Sequence, residues 1–146
     1  MSILLDTCVL AEERNPNGSP AVKAALGKID DSDLFLSVLT IGEIAKGISL
    51  LSPSKKKQEL AVWLDGLEAR FSDRLLLVDR EVAFIWGDTT AQAAKRGIII
   101  PAVDGLLAAT ASRHGLCLWT RNVRHFEATG ALLHDPWSDD LPRNGD

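Results

Sequence analysis

Three acids and one amide in this sequence stand beside short apolar runs. Asp6 follows Ile3-Leu4-Leu5, and Glu43 lies just past Leu34-Phe35-Leu36. Asp104 opens the segment that feeds Leu116-Cys117-Leu118-Trp119, and Asn122 follows that run. Each has a structural explanation of its own. Asp6 can cap a helix beginning near Val9. Thr40 and Glu43 have the spacing of a capping box. Asp104, in the first turn of a helix, complements the helix dipole, and Asn122 can cap a short helix through Phe126. Their conjunction says more. Two full charges ~4 Å apart repel by about 4 kcal/mol at an effective dielectric of ~20. That is enough to raise one carboxyl pKa by about three. Three carboxylates in one pocket must therefore take up protons or a cation. Oxygen ligands without thiolate or imidazole suit a hard divalent ion, Mg²⁺ or Mn²⁺. Such an ion keeps positions for a phosphate oxygen and a water, the equipment of phosphodiester hydrolysis.

The elements that must position these groups are legible as alternating signals. Ile3-Leu4-Leu5, Leu34-Phe35-Leu36, Leu75-Leu76-Leu77-Val78, Leu116-Cys117-Leu118-Trp119 and, more weakly, Ala131-Leu132-Leu133 are short unalternating apolar runs. That is the pattern of strands buried on both faces. Between them, Ser19-Pro20 predicts a capped helix to about Ile29, and Ser52-Pro53 predicts another. The latter carries Leu60, Trp63, Leu64, Leu67 and Phe71 as an amphipathic stripe. Asp79 starts a helix that closes with Lys95-Arg96 and a left-handed Gly97, and a further helix runs from about Val103 to His114 and stops at Gly115. Strands alternating with helices mean an α/β fold, a mostly parallel five-stranded sheet with helices on both faces. Such sheets bind ligands beyond the carboxyl ends of their strands. With the first strand between the second and fourth, all four polar residues reach one crevice.

The bulk numbers exclude other classes. At 146 residues and 46% hydrophobic, the chain suits one domain with a sizeable core. A net charge of −4 and a pI near 5.3 argue against coating nucleic acid by long-range attraction alone, although not against a nucleic-acid enzyme. Cys8 and Cys117 are too few for a disulfide framework and suit a reducing cytoplasm. Asp6 interrupts the first apolar stretch, so a signal peptide is not expected, and no run approaches the ~18 residues of a membrane span. The C-x5-R spacing of Cys8 and Arg14 suggests a cysteine phosphatase, but Glu12 and Glu13 would repel the phosphate and no glycines cradle it. An aspartyl phosphatase needs a second aspartate where Cys8 stands. His114, His125 and His134 lack metal-ligand spacing, and His114 complements a helix dipole. Lys55-Lys56-Lys57 reads as a solvated face, whereas Arg121 and Arg124 flank the proposed site and could meet RNA phosphates. Trp63 and Trp86 read as core or dimer contacts.

Four segments in order, Leu4-Leu5-Asp6-Thr7, Leu39 to Gly47, Asp104 to Ala111 and Thr120 to Phe126, resemble the PIN-domain nucleases. The likeness is strongest to their VapC branch, the toxin ribonucleases of bacterial toxin–antitoxin pairs. It runs from Ile3 to Asp135-Pro136-Trp137 and implies a single PIN domain over 1–137, a three-layer α/β/α fold, with a polar tail at 138–146 expected to fray. By this resemblance Asp6 and Asp104 match aspartates that hold the metal, Glu43 matches the third acid, and Asn122 falls on a position that is Asp or Asn. Thr7 and Thr120 match small hydroxyl residues that hold the site by hydrogen bonds. Gly47 matches a glycine where a side chain would crowd the adjoining element. Cys8 stands where many members carry Asn, and His125 where Asp is frequent. The resemblance implies a Mg²⁺- or Mn²⁺-dependent endoribonuclease, a homodimer, and a small VapB-like antitoxin protein that blocks the acidic cleft. The alternative is a catalytically silent PIN-fold binding module whose acids serve only as caps and which acts through a partner or nucleic acid.

Overall fold

The computed structural model describes residues 1–138. In chain order the elements are β1 (Ile3–Leu5), α1 (Thr7–Arg14), α2 (Pro20–Gly27), β2 (Leu34–Ser37), α3 (Val38–Ser49) and α4 (Lys55–Arg70). They continue as β3 (Leu75–Leu76), α5 (Arg80–Lys95), α6 (Ala102–His114), β4 (Cys117–Trp119), α7 (Val123–Phe126) and β5 (Leu133–His134). The sheet order is β3-β2-β1-β4-β5, and every pairing is parallel. Ile3 lies opposite both Leu34 and Cys117, so β1 is central and β2 and β4 flank it.

Burial on both faces explains the unalternating strands. Ile3 and Leu5 join Leu34, Leu36, Cys117 and Trp119 in one core cluster under α1 to α4. Leu4 and Leu118 turn the other way and pack with Leu107, Ala108 and Ala111 of α6 and Phe126 of α7. Helix α5 packs on α6, completing the third layer. At the far end of α4, Arg70 and Arg74 lie over the Phe71 ring and both bind Asp31, holding that acid's carboxyl below the usual carboxylate range. Arg74 also donates to the carbonyls of Asp31 and Leu34, which ties the entry of β2 to the start of β3.

Several helix ends match the expected signals. Ser19 caps α2 with proline in its first turn, Asp79 caps α5 through the Val82 amide, and Gly97 and Gly115 have φ of 75° and 66°. Others differ. Helix α4 is capped by Ser54, whose hydroxyl accepts from the Lys57 amide at 3.1 Å, not by Ser52. The capping box at Thr40 and Glu43 does not form, because Ser37 at the end of β2 takes the cap and places both residues inside α3. At the sheet edge β3 keeps only Leu75 and Leu76, with Leu77 65% exposed. Strand β5 starts two residues into the apolar run, keeping its Leu133 and adding His134. Of the expected tail, Ser138 donates its amide to the Asp135 carbonyl, and 139–146 lie outside the described residues. Among the described residues no helix is long and apolar enough to cross a membrane.

Candidate active site

Asp6 stands at the carboxyl end of the central strand, its amide bonded to the Trp119 carbonyl of β4. Its carboxylate is fixed from two sides. Oδ1 accepts from the Thr7 amide at 2.8 Å, the capping role, and Oδ2 accepts from the Thr120 hydroxyl at 2.8 Å. Thr120 is fully buried and also accepts from the Asn122 amide at 3.0 Å, so one hydroxyl ties Asp6 to the turn after β4. Cys8 adds a third tie. Its thiol donates toward Asp6 Oδ2 at 3.6 Å and accepts from the Arg121 amide at 3.5 Å. Burial, the largest influence, pushes the Cys8 thiol up, and the Asp6 charge adds to it, so the sulfur stays a protonated donor.

Glu43 comes from the second turn of α3, and its Oε1 accepts from the Thr7 hydroxyl at 3.2 Å. Asp104 comes from the first turn of α6. Desolvation raises both carboxyls above their ordinary range. The charge of Asp6 raises both further, and that of Asp104 adds to Glu43, whereas Thr7 and Lys46 pull Glu43 back and His125 pulls Asp104 back. Glu43 and Asp104 therefore both lie within the field of Asp6. The crevice beyond the carboxyl ends of β1, β2 and β4 is the place where an open parallel sheet takes its ligand.

Asn122 occupies the cap position of α7 without a side-chain cap bond. Arg121, Asn122, Arg124 and His125 are exposed and line a cavity of about 310 Å³ with Asp135 and Val123. On the other side, an open groove of about 540 Å³ runs past Glu43 between α3 and the start of α6, with Leu50 77% and Val103 40% exposed. Gly47 lines this groove, and a Cβ there would meet nothing within 4 Å. The expected crowding at Gly47 is absent because α3 presents that face to open space. The crowded glycine is Gly105, next to Asp104, where a Cβ would lie 2.9 Å from Trp86 Cδ1. Trp86 is thus a packing residue between α5 and α6, as its apolar helix face suggested. Trp63 packs against the first core cluster, with the Arg14 guanidinium 5.6 Å from its ring.

Sequence reasoning undervalued two residues. Cys8 is a tie between Asp6 and the β4 turn, and its place two residues after a strand-ending acid was a usable signal. His125 offsets part of the upward push on the Asp104 carboxyl, and no local pattern connects those positions.

Whether a divalent ion suits this site can be judged from its donors. Among the described residues no three His, Cys, Asp or Glu side chains are already drawn together as a closed ligand set. The tight triad expected from sequence is therefore an open one, with Glu43 held to Thr7 and Asp6 held to Thr120. Magnesium uses one or two carboxylates and keeps several waters, so an open site of hard oxygens is compatible with it. Among the described residues no lysine, arginine or histidine forms an ion pair with these three acids. The donor set fits a hard cation.

The sequence matches the PIN domain over residues 3–132. It is 36% identical to "Toxin FitB" of Neisseria gonorrhoeae, over 94% of this chain and 99% of that protein. It is 32% identical to "VapC ribonuclease Y4jK" of Sinorhizobium fredii, over 92% of this chain and 97% of that protein. The fold superposes on a chain from the structure of FitAB bound to the IR36 DNA fragment with a TM-score of 0.89 and 33% identity, covering 97% of this chain and 99% of that one. By these matches, and by a parallel sheet that brings its acids to one edge, the chain belongs to the PIN-domain family.

Proposed function

We propose that this protein is an endoribonuclease dependent on Mg²⁺ or Mn²⁺ and the toxin of a toxin–antitoxin pair. What supports the reading is the topology, which sets Asp6 directly after the central β1, Glu43 in the helix that follows β2 and Asp104 in the helix that precedes β4, with none of the three ion-paired among the described residues. The names of its relatives, a toxin and a VapC ribonuclease, support the class of reaction and of partner.

Asp6, Glu43 and Asp104 would hold the ion, which when bound polarises a phosphate oxygen and lowers the pKa of a water. The remaining work belongs to the chain. Thr120 and the Thr7 amide lock the Asp6 carboxylate in one orientation, and the Thr7 hydroxyl does the same for Glu43. Asn122, tethered through its backbone amide to Thr120, orients water or RNA at the crevice with its side chain. The groove past Glu43, with exposed Leu50 and Val103, suits an apolar segment of a small VapB-like antitoxin that sets a basic residue among the acids. The protein acts as a homodimer in the cytoplasm.

The test is cleavage of total RNA by purified protein with Mn²⁺, Mg²⁺ or EDTA. Activity should need the metal. Asp6→Asn and Asp104→Asn should each reduce it on the order of a hundredfold or more while retaining the wild-type circular dichroism spectrum. Undiminished cleavage by either folded variant refutes the assigned role. Intact RNA together with normal capture of the antitoxin would move the protein to the binding-module class.

A further inference from the structure

The cavity at α7 sets two arginines and a histidine beside a site that gathers anions. Arg121, Arg124 and His125 line it, all three exposed, with Asn122 and Asp135 between them. Neither arginine forms an ion pair among the described residues. Arg121 is nevertheless held, since its guanidinium lies 5.3 Å from the centroid of the Trp137 ring. Stacking of this kind orders the guanidinium plane and leaves its N–H edge free for an anion. Asp135 is the one acid in the lining, and its Oδ1 already accepts from the Trp137 amide at 2.8 Å. That bond shapes the turn that presents Trp137 to Arg121.

A polyanion approaching three carboxylates is repelled unless cations lie within a few ångströms of its path. Resting on the ribonuclease reading, we infer that the Arg121–Arg124–His125 cavity is a subsite for a backbone phosphate of the RNA strand, one that flanks the phosphate being cut. Planar guanidinium groups bind phosphate oxygens in pairs, and the pocket reads charge, not base identity. It supplies binding that is equal in ground and transition states.

The experiment is fluorescence anisotropy of a labelled single-stranded RNA in EDTA over a range of KCl, with a parallel Mn²⁺ cleavage assay. Arg124→Gln, at an exposed position, should weaken binding about tenfold and reduce the slope of log K against log salt by about 0.7. Arg124→Lys should retain the slope, Arg121→Gln should reproduce the loss, and Lys56→Gln on α4 should change nothing. In the cleavage assay Arg124→Gln should raise KM about as much as Kd, with kcat within about twofold. Unchanged affinity and slope in both arginine-to-glutamine variants overturns the inference, as does a wild-type protein that binds no RNA. If the wild type binds RNA but cuts none with Mn²⁺, the ribonuclease reading fails, while the salt slopes still decide whether the cavity holds phosphate.

Discussion

Replacing Thr120 by valine removes the one oxygen that joins the Asp6 carboxylate to the backbone amide of Asn122. Thr120 is fully buried, donates to Asp6 Oδ2 at 2.8 Å and accepts from the Asn122 amide at 3.0 Å. A hydrogen bond to a charged partner contributes about 1.5–3 kcal/mol, and an amide left without its acceptor adds about 1 kcal/mol of penalty. Thr120→Val should therefore cost about 2–4 kcal/mol. Thr120→Ser keeps the hydroxyl and loses one buried methyl, for about 1 kcal/mol. Urea denaturation in EDTA reads the difference as a midpoint shift of about 1–2 M at unchanged m value. The bond's dependence on charge is read by a cycle with Asp6→Asn. In that background Thr120→Val should cost about 1 kcal/mol less, since the amide oxygen is a weaker acceptor than the carboxylate. Equal stability of the valine and serine variants, or additivity of the cycle, would refute the claim that Thr120 holds Asp6.

The acids also predict a pH dependence. The folded carboxyls of Glu43 and Asp104 are raised, so across the window between ordinary and raised values the native state binds more protons than the unfolded one. Stability of the metal-free protein from these groups must then fall as pH rises through that window. Melting temperature against pH in EDTA should show this decline, Glu43→Gln with Asp104→Asn should flatten it, and Mn²⁺ should restore stability above the window. At Gly105 a Cβ would stand 2.9 Å from Trp86 Cδ1 and 3.1 Å from its Nε1. Gly105→Ala should therefore destabilise by about 1–3 kcal/mol through overpacking. Combining it with Trp86→Leu should cost less than the sum of the two single changes by urea denaturation. Strict additivity would show that the two helices part without strain.

Local signals were sufficient for much of the chain. Ser19-Pro20, Asp79, Gly97 and Gly115 act within a turn of themselves, so their helix ends could be read without knowing the fold. Apolar runs of three or four residues marked strands buried on both faces, because a parallel sheet covered by helices demands such runs. Where two signals competed, local reading chose wrongly. Ser52 and Ser54 both precede the same helix, and Ser37 ends β2 three residues before Thr40; in each pair the serine whose hydroxyl accepts a helix amide, Ser54 and Ser37, set the start. The site residues were legible as a set of acids after strands, and their identities matched a family pattern that spans the chain.

Their relations were not legible. Thr7 reaches Glu43 across 36 positions, and Thr120 reaches Asp6 across 114. Cys8 meets the Arg121 amide across 113 positions, and Trp86 fills the space beside Gly105. Such contacts depend on sheet order and on the crossing of two helices, which no window of sequence contains. The residue types determined that negative charge would collect at the carboxyl end of β1. The tertiary structure decided that it collects in an open arrangement, braced by two hydroxyls and a thiol and walled on one side by cations. Distance in space, not in sequence, sets the strength of a field.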